Sequence, residues 1–497
     1  MFTMQAKGRT RKQIKRNVLS VLLSRRSFLQ GAVPFGVGMS PIGRLLGAAE
    51  SPFKDLPDYY ATYLSGIAER VNANAKTCAD GFWFMSDIHL PFNSGRSGKI
   101  IAALAGRVPI DKTFCGGDLV WAFTWKDINC RESVDECIHG YCENWVKPIT
   151  DAGLALYTAK GNHDFTINMS KKWRSARTGI GWTYSDEEAR RILMETMNSR
   201  DVVTNASDPT ACYFYVDNAA AKIRYIVADT TDRVRQAGDA PWAVSYGMHE
   251  PQLKWLAETA LGGMDAGWNA VLVHHVPMTT LVGAEESHIK KHYADFCGLC
   301  EAYQNRGVVE LFGRKYDFSG ACGRIMLSIT GHYHAERQTF QKGILHVTEP
   351  CDTRGDDYMY GGGKWCGELP KREDCSIYEQ CFDAVQLDTV RGIVNFTRVG
   401  GGQNRAIHTQ PLKVKAGGSL ALKAPTLSGQ VTWGCYDADR IKWLPNPKSE
   451  YCKLVDFLAD YATISPDGTL RGVRPGEVMA VAMDANLNKE IWPVTVA

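Results

Sequence analysis

Five short apolar runs in this chain each stop on a side chain that is costly to bury alone. They are FWFMSDIH (82–89), FCGGDLVW (114–121), AKGNHDF (159–165), VLVHHVP (271–277) and ITGHYHAE (329–336). Unpartnered Asp, Asn and His lose several kcal/mol when taken out of water, so each run must end where these groups meet partners. A buried strand that ends in a tight, glycine-assisted turn meets that demand. In open α/β sheets, ligands gather beyond the carboxyl ends of the strands. Asp87, His89, Asp118, Asn162, His163, Asp164, His275, His332 and His334 can therefore converge although they are far apart in the chain.

The rest of the chain supplies a frame for these runs. Apolar stretches predict strands near 81–86, 112–117, 154–160, 223–229, 269–274, 325–330 and 344–348. Helical periodicity appears over 57–76 and 250–261, where Leu253, Leu256, Ala257 and Ala260 share a face. Alternating strands and helices predict an α/β fold. The run 382–399 reads as a hairpin closing that domain, and the cysteine-bearing stretches 127–145 and 350–382 read as surface insertions. At about 400 the composition turns Gly-rich and polar (VGGGQNRA, then KVKAGGS), as expected of a linker. Beyond it the chain is strand-rich.

The residue types explain themselves if two divalent cations are held side by side. Such a pair needs about eight ligand positions and one shared group roughly 3.5–4 Å from ion to ion. A carboxylate can be shared, because it has two oxygens and a negative charge. Imidazoles and a carboxamide complete the sets without overcharging the site. Mixed nitrogen and oxygen donors suit Mn, Fe, Zn or Co better than Ca or Mg.

DxH, GGD, GNHD, HxP and GHxH, in that order over residues 80–400, resemble the calcineurin-like metallophosphoesterase superfamily. The resemblance implies a four-layer αββα sandwich. It implies that Asp87, His89 and His334 hold the first metal, that Asp118 bridges both, and that Asn162, His275 and His332 hold the second. His275 rather than His274 matches, because the ligand stands two residues before Pro277. His163 matches the histidine that contacts the phosphoryl group and protonates the leaving oxygen, and Asp164 orients that region. The implied reaction is in-line attack on a phosphate mono- or diester by hydroxide generated on the metals. Trp121 stands where the purple acid phosphatase subgroup has a tyrosine ligand, so an Fe(III)–tyrosinate centre is not expected.

Two flanking regions carry resemblances of their own. Residues 1–49 contain SRRSFLQ (24–30), a broken apolar stretch and the small-residue end LLGAAE, and resemble a twin-arginine export signal. The expected order is a leader over 1–49, a phosphoesterase domain over 50–404 and a β-sandwich over 405–497. In the last, Trp433 and ATISPDGTLRGVRPGEVMAVAMDAN (462–486) resemble a bacterial immunoglobulin-like domain of the group 2 type, with an insertion bracketed by Cys435 and Cys452. Export by the twin-arginine machinery to periplasm, envelope or medium follows from the leader. No downstream stretch reads as a membrane span.

Charge narrows the substrates. The formal +3 arises from the leader, which holds nine basic residues and no acidic ones. Without those nine, the 57 basic residues become 48 against 54 acidic, a balance of −6. A protein that tracks nucleic-acid backbones usually has the opposite sign. A small-molecule, lipid or nucleotide phosphate ester is expected instead. An extracellular nuclease or nucleotidase of the same fold stays open, as does a surface-binding protein with a non-catalytic phosphoesterase-like domain. The basic segment Lys171, Lys172, Arg174 and Arg177 reads as a solvated loop, with phosphate contact as the alternative. Trp121 and Trp125 read as core or as an apolar wall. His249, His288, His292 and His346 read as structural or surface histidines, with a place at the cleft rim as the alternative for His288 and His292. Fifteen cysteines with an exported destination predict disulfides, the odd total leaving Cys115 unpaired.

Overall fold

The computed structural model describes residues 56–121, 131–164, 184–197, 201–232, 247–279, 292–353, 372–446 and 449–497. The leader, Trp125, the segment 171–177, His288, Cys130 and Cys366 lie outside the described residues.

In chain order the strands begin with β1 (Asp80–Met85), β2 (Lys112–Cys115), β3 (Ala155–Thr158), β4 (Val203–Thr204), β5 (Phe214–Asn218), β6 (Ile223–Ala228) and β7 (Asn269–His274). A small hairpin, β8 (Val308–Leu311) with β9 (Arg314–Asp317), precedes β10 (Arg324–Thr330), β11 (Arg337–Gln341) and β12 (Ile344–Thr348). Then follow β13 (Cys381–Asp388), β14 (Ile393–Gly400), β15 (Arg405–His408), β16 (Leu412–Val414), β17 (Ser419–Ala421) and β18 (Thr432–Asp437). The last are β19 (Ile441–Asn446), β20 (Ser449–Phe457), β21 (Ala462–Ile464), β22 (Thr469–Gly472), β23 (Gly476–Met483) and β24 (Lys489–Val496). The helices used below are α1 (Tyr59–Ala75), α2 (Arg96–Leu104), α3 (Arg131–Tyr141), α4 (Lys147–Asp151), α5 (Asp186–Glu195), α6 (Glu250–Trp255) and α7 (Tyr293–Gln304).

Two sheets dominate. The first runs β18-β23-β24-β15-β14-β13-β1-β2-β3, with β16 also on β24. The second runs β11-β12-β10-β7-β6-β5-β4. The strands that carry the sequence motifs are parallel at their shared edges: β1 with β2, β2 with β3, and β7 with β10. Parallel neighbours put their carboxyl ends on one side, which is what gathers the motif turns.

Alternate residues of the central strands face different cores. Phe82 and Phe84 of β1 join Tyr225, Val227, Val271 and Val273 of β6 and β7 between the sheets. Trp83 and Met85 point the other way, onto α1, α2 and Trp145. Ile226, Ala228, Ala270 and Leu272 meet α6 and α7 on the far side. Helices thus cover the outer face of each sheet, and burial on both faces explains why these strands read as continuous apolar runs. Helix α1 buries Tyr60, Leu64, Ile67 and Val71, a stripe at helical spacing. Helix α5 starts at Ser185, whose side chain accepts from Glu188 N–H while Glu188 caps Ser185 in return.

The boundary expected at 404/405 falls inside a continuous ladder. Strand β15 pairs with β14 on one side and, in parallel, with β24 on the other. The Gly-rich stretch is the turn of that β14–β15 hairpin, with Gly400 at φ +95° and Gly402 at φ +114°. Glycine marks a positive-φ turn and a flexible linker alike, so composition alone favoured the linker. The C-terminal strands still have a core of their own, built from Val414, Leu422, Leu470, Val478, Ala480, Trp492 and Val494. The opposite faces of the same strands, through Met479, Val481 and Ile491, join the core between the main sheets.

The expected disulfides do not form among the described cysteines: twelve of them carry thiols. Cys115, Cys212, Cys300 and Cys381 are buried, and a buried thiol packs as a small hydrophobe. No described helix is long and apolar enough to cross a membrane.

Candidate metal centre

The turns after β1 and β2 are zipped together by backbone bonds. Asp87 N–H donates to Gly117 O, His89 N–H to Asp118 O and Leu90 N–H to Leu119 O, at 2.9–3.0 Å. The turn after β10 joins them through Asp87, whose carboxylate accepts the His332 N–H at 3.0 and 3.1 Å. Glycine is required where these turns touch. A Cβ at Gly161 would collide with Asp118, and one at Gly331 with Asp87.

Asp87, His89, Asp118, His332 and His334 all have positive φ, between 50° and 74°. For residues with a Cβ this costs on the order of 1–3 kcal/mol each, and such outliers cluster at functional sites. The strained turn at Asp118 is held by Asp164. Its buried carboxylate accepts the backbone N–H groups of Asp118 (3.1 Å), Leu119 (2.6 Å), Val120 (3.3 Å) and Gly161 (2.8 Å).

The side chains fall into two touching groups. In one, His89 Nε2 and His334 Nε2 lie 2.9 Å apart, with Asp87 Oδ1 3.1 Å from His334 and 3.6 Å from His89. In the other, Asn162 Oδ1 lies 3.0 Å from His275 Nε2 and 2.8 Å from His332 Nδ1. Asp118 Oδ2 stands 3.2 Å from His275 Nε2, and one oxygen each of Asp87, Asp118 and a nitrogen of His275 lie within 4.8 Å of one another. All seven side chains read as ligands are therefore brought together, and all but His332 are buried. His163 sits beside them, its N–H on Asp118 Oδ1 at 2.8 Å and its Nε2 3.9 Å from Asp118 Oδ2.

This donor set fits two transition-metal ions. Four imidazoles, two carboxylates and a carboxamide crowd into hydrogen-bond range. His275 Nδ1–H donates to Gly116 O, 2.8 Å away. A donor role there fixes the tautomer and leaves Nε2 as the ligand atom. His274 faces elsewhere: Nδ1 meets Val276 O and Nε2 meets Ser328 Oγ, both at 2.9 Å. Burial lowers it to about 4, so it stays neutral. His346 is likewise held neutral by burial, whereas His249 and His292 pair with Asp232 and Asp295.

Electrostatics couple the groups. Burial opposes charge on Asp118, but His275 and His163 outweigh it and hold the carboxyl well below its usual range. Burial likewise opposes charge on His275, but Asp118 lifts it to about 9. In the metal-free protein the raised His275 contributes stability that is fully present below about pH 6.5, as long as Asp118 stays ionised, and is lost as pH rises through about 9. A shift of this size corresponds to on the order of 3 kcal/mol. The unfolding midpoint of the metal-free protein should fall across that window. A flat profile by calorimetry would contradict the pairing.

Two further side chains border the ligands. Trp121 was read as core or wall; it stacks on His163 (ring centroids 4.9 Å apart, planes 10° apart) and stands edge-on to His89 at 4.3 Å. Cys351 falls in the stretch read as a cysteine-bearing insertion, yet its sulfur and one ring nitrogen each of His89 and His334 lie within 4.8 Å of one another. The signal available was its place just after β12, a further strand end.

Comparison with known proteins agrees with the motif order. The calcineurin-like phosphoesterase family profile matches residues 81–334. None of the curated proteins compared with the chain matches it. Among solved structures, a dimetal phosphatase from Danio rerio is similar at 11% identity, covering 65% of this chain and 96% of its own, with a TM-score of 0.39. Phosphopantetheinyl hydrolase from Mycobacterium tuberculosis is similar at 13% identity, over 55% and 90%, with a TM-score of 0.25. GAP50, the anchor in the inner membrane complex of Plasmodium, is similar at 12% identity, over 64% and 84%, with a TM-score of 0.34. With the family profile matched over more than half of its length, the chain belongs to the calcineurin-like phosphoesterase family.

Proposed function

We propose that the protein is an exported, two-metal hydrolase of phosphate mono- or diesters. The observation that carries this reading is the meeting of seven ligand-type side chains, from five strand ends, on turns strained at five non-glycine residues. Asp87, His89 and His334 would hold one ion, Asn162, His275 and His332 the other, and Asp118 both. When bound, such a pair supplies Lewis acidity and lowers the pKa of water. The remaining work belongs to the chain. His332 is partly exposed, so the substrate enters on its side. Asp118 and Trp121 orient His163, which donates a proton to the departing oxygen.

Export rests on the leader, whose paired Arg25 and Arg26 would engage the twin-arginine machinery. A hydrolysis panel tests the activity: aryl phosphate, bis-aryl phosphate, nucleotides and phospholipids, each with Mn, Zn, Fe and Co. No turnover with any pairing would reject it. His163→Ala is expected to keep its ions and lose roughly 10²–10⁴-fold in rate, the usual range for a general acid. The loss should be greatest for poor leaving groups. A uniform loss across leaving groups, or a loss of ions, would contradict the assigned role.

A further inference from the structure

We propose that Cys351 is an additional ligand of the first ion, placing a sulfur donor beside Asp87, His89 and His334; this rests on the two-metal reading above. The thiol is fully buried, yet it does not sit in an apolar pocket. Its sulfur lies 3.1 Å from the Asp87 carbonyl oxygen and within 4.8 Å of a ring nitrogen of each of His89 and His334.

The backbone around it is fixed to both ligand-bearing turns. Glu349 N–H bonds Thr330 O at the end of β10 (2.8 Å), and Asp352 N–H bonds Ser86 O at the end of β1 (2.9 Å). Arg372, itself buried, donates to Cys351 O at 2.6 Å and to Asp352 O at 2.7 Å. Residue 351 is thus clamped between the DxH and GHxH turns, on the strand-end edge where the other ligands gather. Coordination requires the thiolate, and the thiol proton passes to solvent as the ion binds.

The consequence is an asymmetric centre. A thiolate favours Zn, Fe or Co over Mn or Mg, so the first position would take the softer ion. The second, with Asp118, Asn162, His275 and His332, keeps oxygen and nitrogen donors only.

Titration of the metal-free full chain with Co(II) tests this. The wild type should develop a strong sulfur-to-cobalt charge-transfer band, and Cys351→Ser should lose it while retaining the fold. The exposed Cys322→Ser should keep it. X-ray absorption at the zinc edge of the wild type needs no variant and should find one sulfur at about 2.3 Å. A band that survives in Cys351→Ser, or a shell of nitrogen and oxygen alone, overturns the assignment. If two ions bind and an ester is hydrolysed while no sulfur is seen, Cys351 is excluded and the two-metal reading stands. If no ion binds at all, both fall.

Discussion

Asp118→Ala is expected to cut ester hydrolysis by roughly 10³-fold or more, the scale set by loss of one preorganised electrostatic partner, and to drop bound metal below two per chain. Asp118 stands where the two groups of the site meet. Its Oδ1 takes the His163 N–H, its Oδ2 faces His275, and its backbone oxygen receives His89 N–H. Removing the carboxylate leaves four imidazoles facing one remaining carboxylate, Asp87, so two dications would meet too little negative charge. Asp118→Asn keeps the shape without the charge and should fail in the same direction. Metal analysis by mass spectrometry and a rate assay decide the matter. Near-wild-type turnover, or two ions still bound, would mean the shared ligand lies elsewhere.

Arg405→Ala should lower unfolding free energy by about 3–5 kcal/mol, the cost of leaving buried charges uncompensated. Arg398, Arg405 and Lys489 face Asp383, Glu336 and Glu349 in one buried cluster. Arg405 Nη2 lies 2.8 Å from Glu349 and 2.7 Å from Asp383; Arg398 Nη2 lies 2.7 Å from Glu336 and 2.9 Å from both others. Burial and Asp383 push Glu349 up, while the arginines keep Asp383 and Glu336 charged despite their burial. The cluster also matters to the site. Glu336 stands two residues after His334, and Glu349 two before Cys351. Arg405→Ala should therefore weaken metal retention as well as stability. Arg405→Lys should recover only part, since an ammonium cannot reproduce the planar fork. Denaturant titration with and without metal checks both effects. A loss under about 1 kcal/mol would show the cluster to be dispensable.

The strand ends were legible because each ligand sits in a short consecutive motif beside an apolar run. DxH, GGD, GNHD and GHxH state their residues locally, and parallel pairing does the rest. What escaped depends on register between distant segments. The stacking of Trp121 on His163 depends on how the turns after β2 and β3 meet. Cys351 was one cysteine among fifteen, and only the crossing of residues 349–353 over two turns sets it apart. The charge cluster draws Glu336 to Lys489 across the whole C-terminal region, and no local pattern announces it. Glycines 400–402 misled for a different reason: the same residue serves a hairpin turn and a tether.

That hairpin has a bearing on how the protein is made. Strand β24 lies between β23 and β15, and its Lys489 faces Glu336. The main sheet is thus unfinished until residues 489–496 have left the ribosome. Trimming the gene at codon 404 would not release a tidy catalytic fragment. It would expose an open sheet edge and strand a nest of carboxylates, and such a product should clump rather than dissolve.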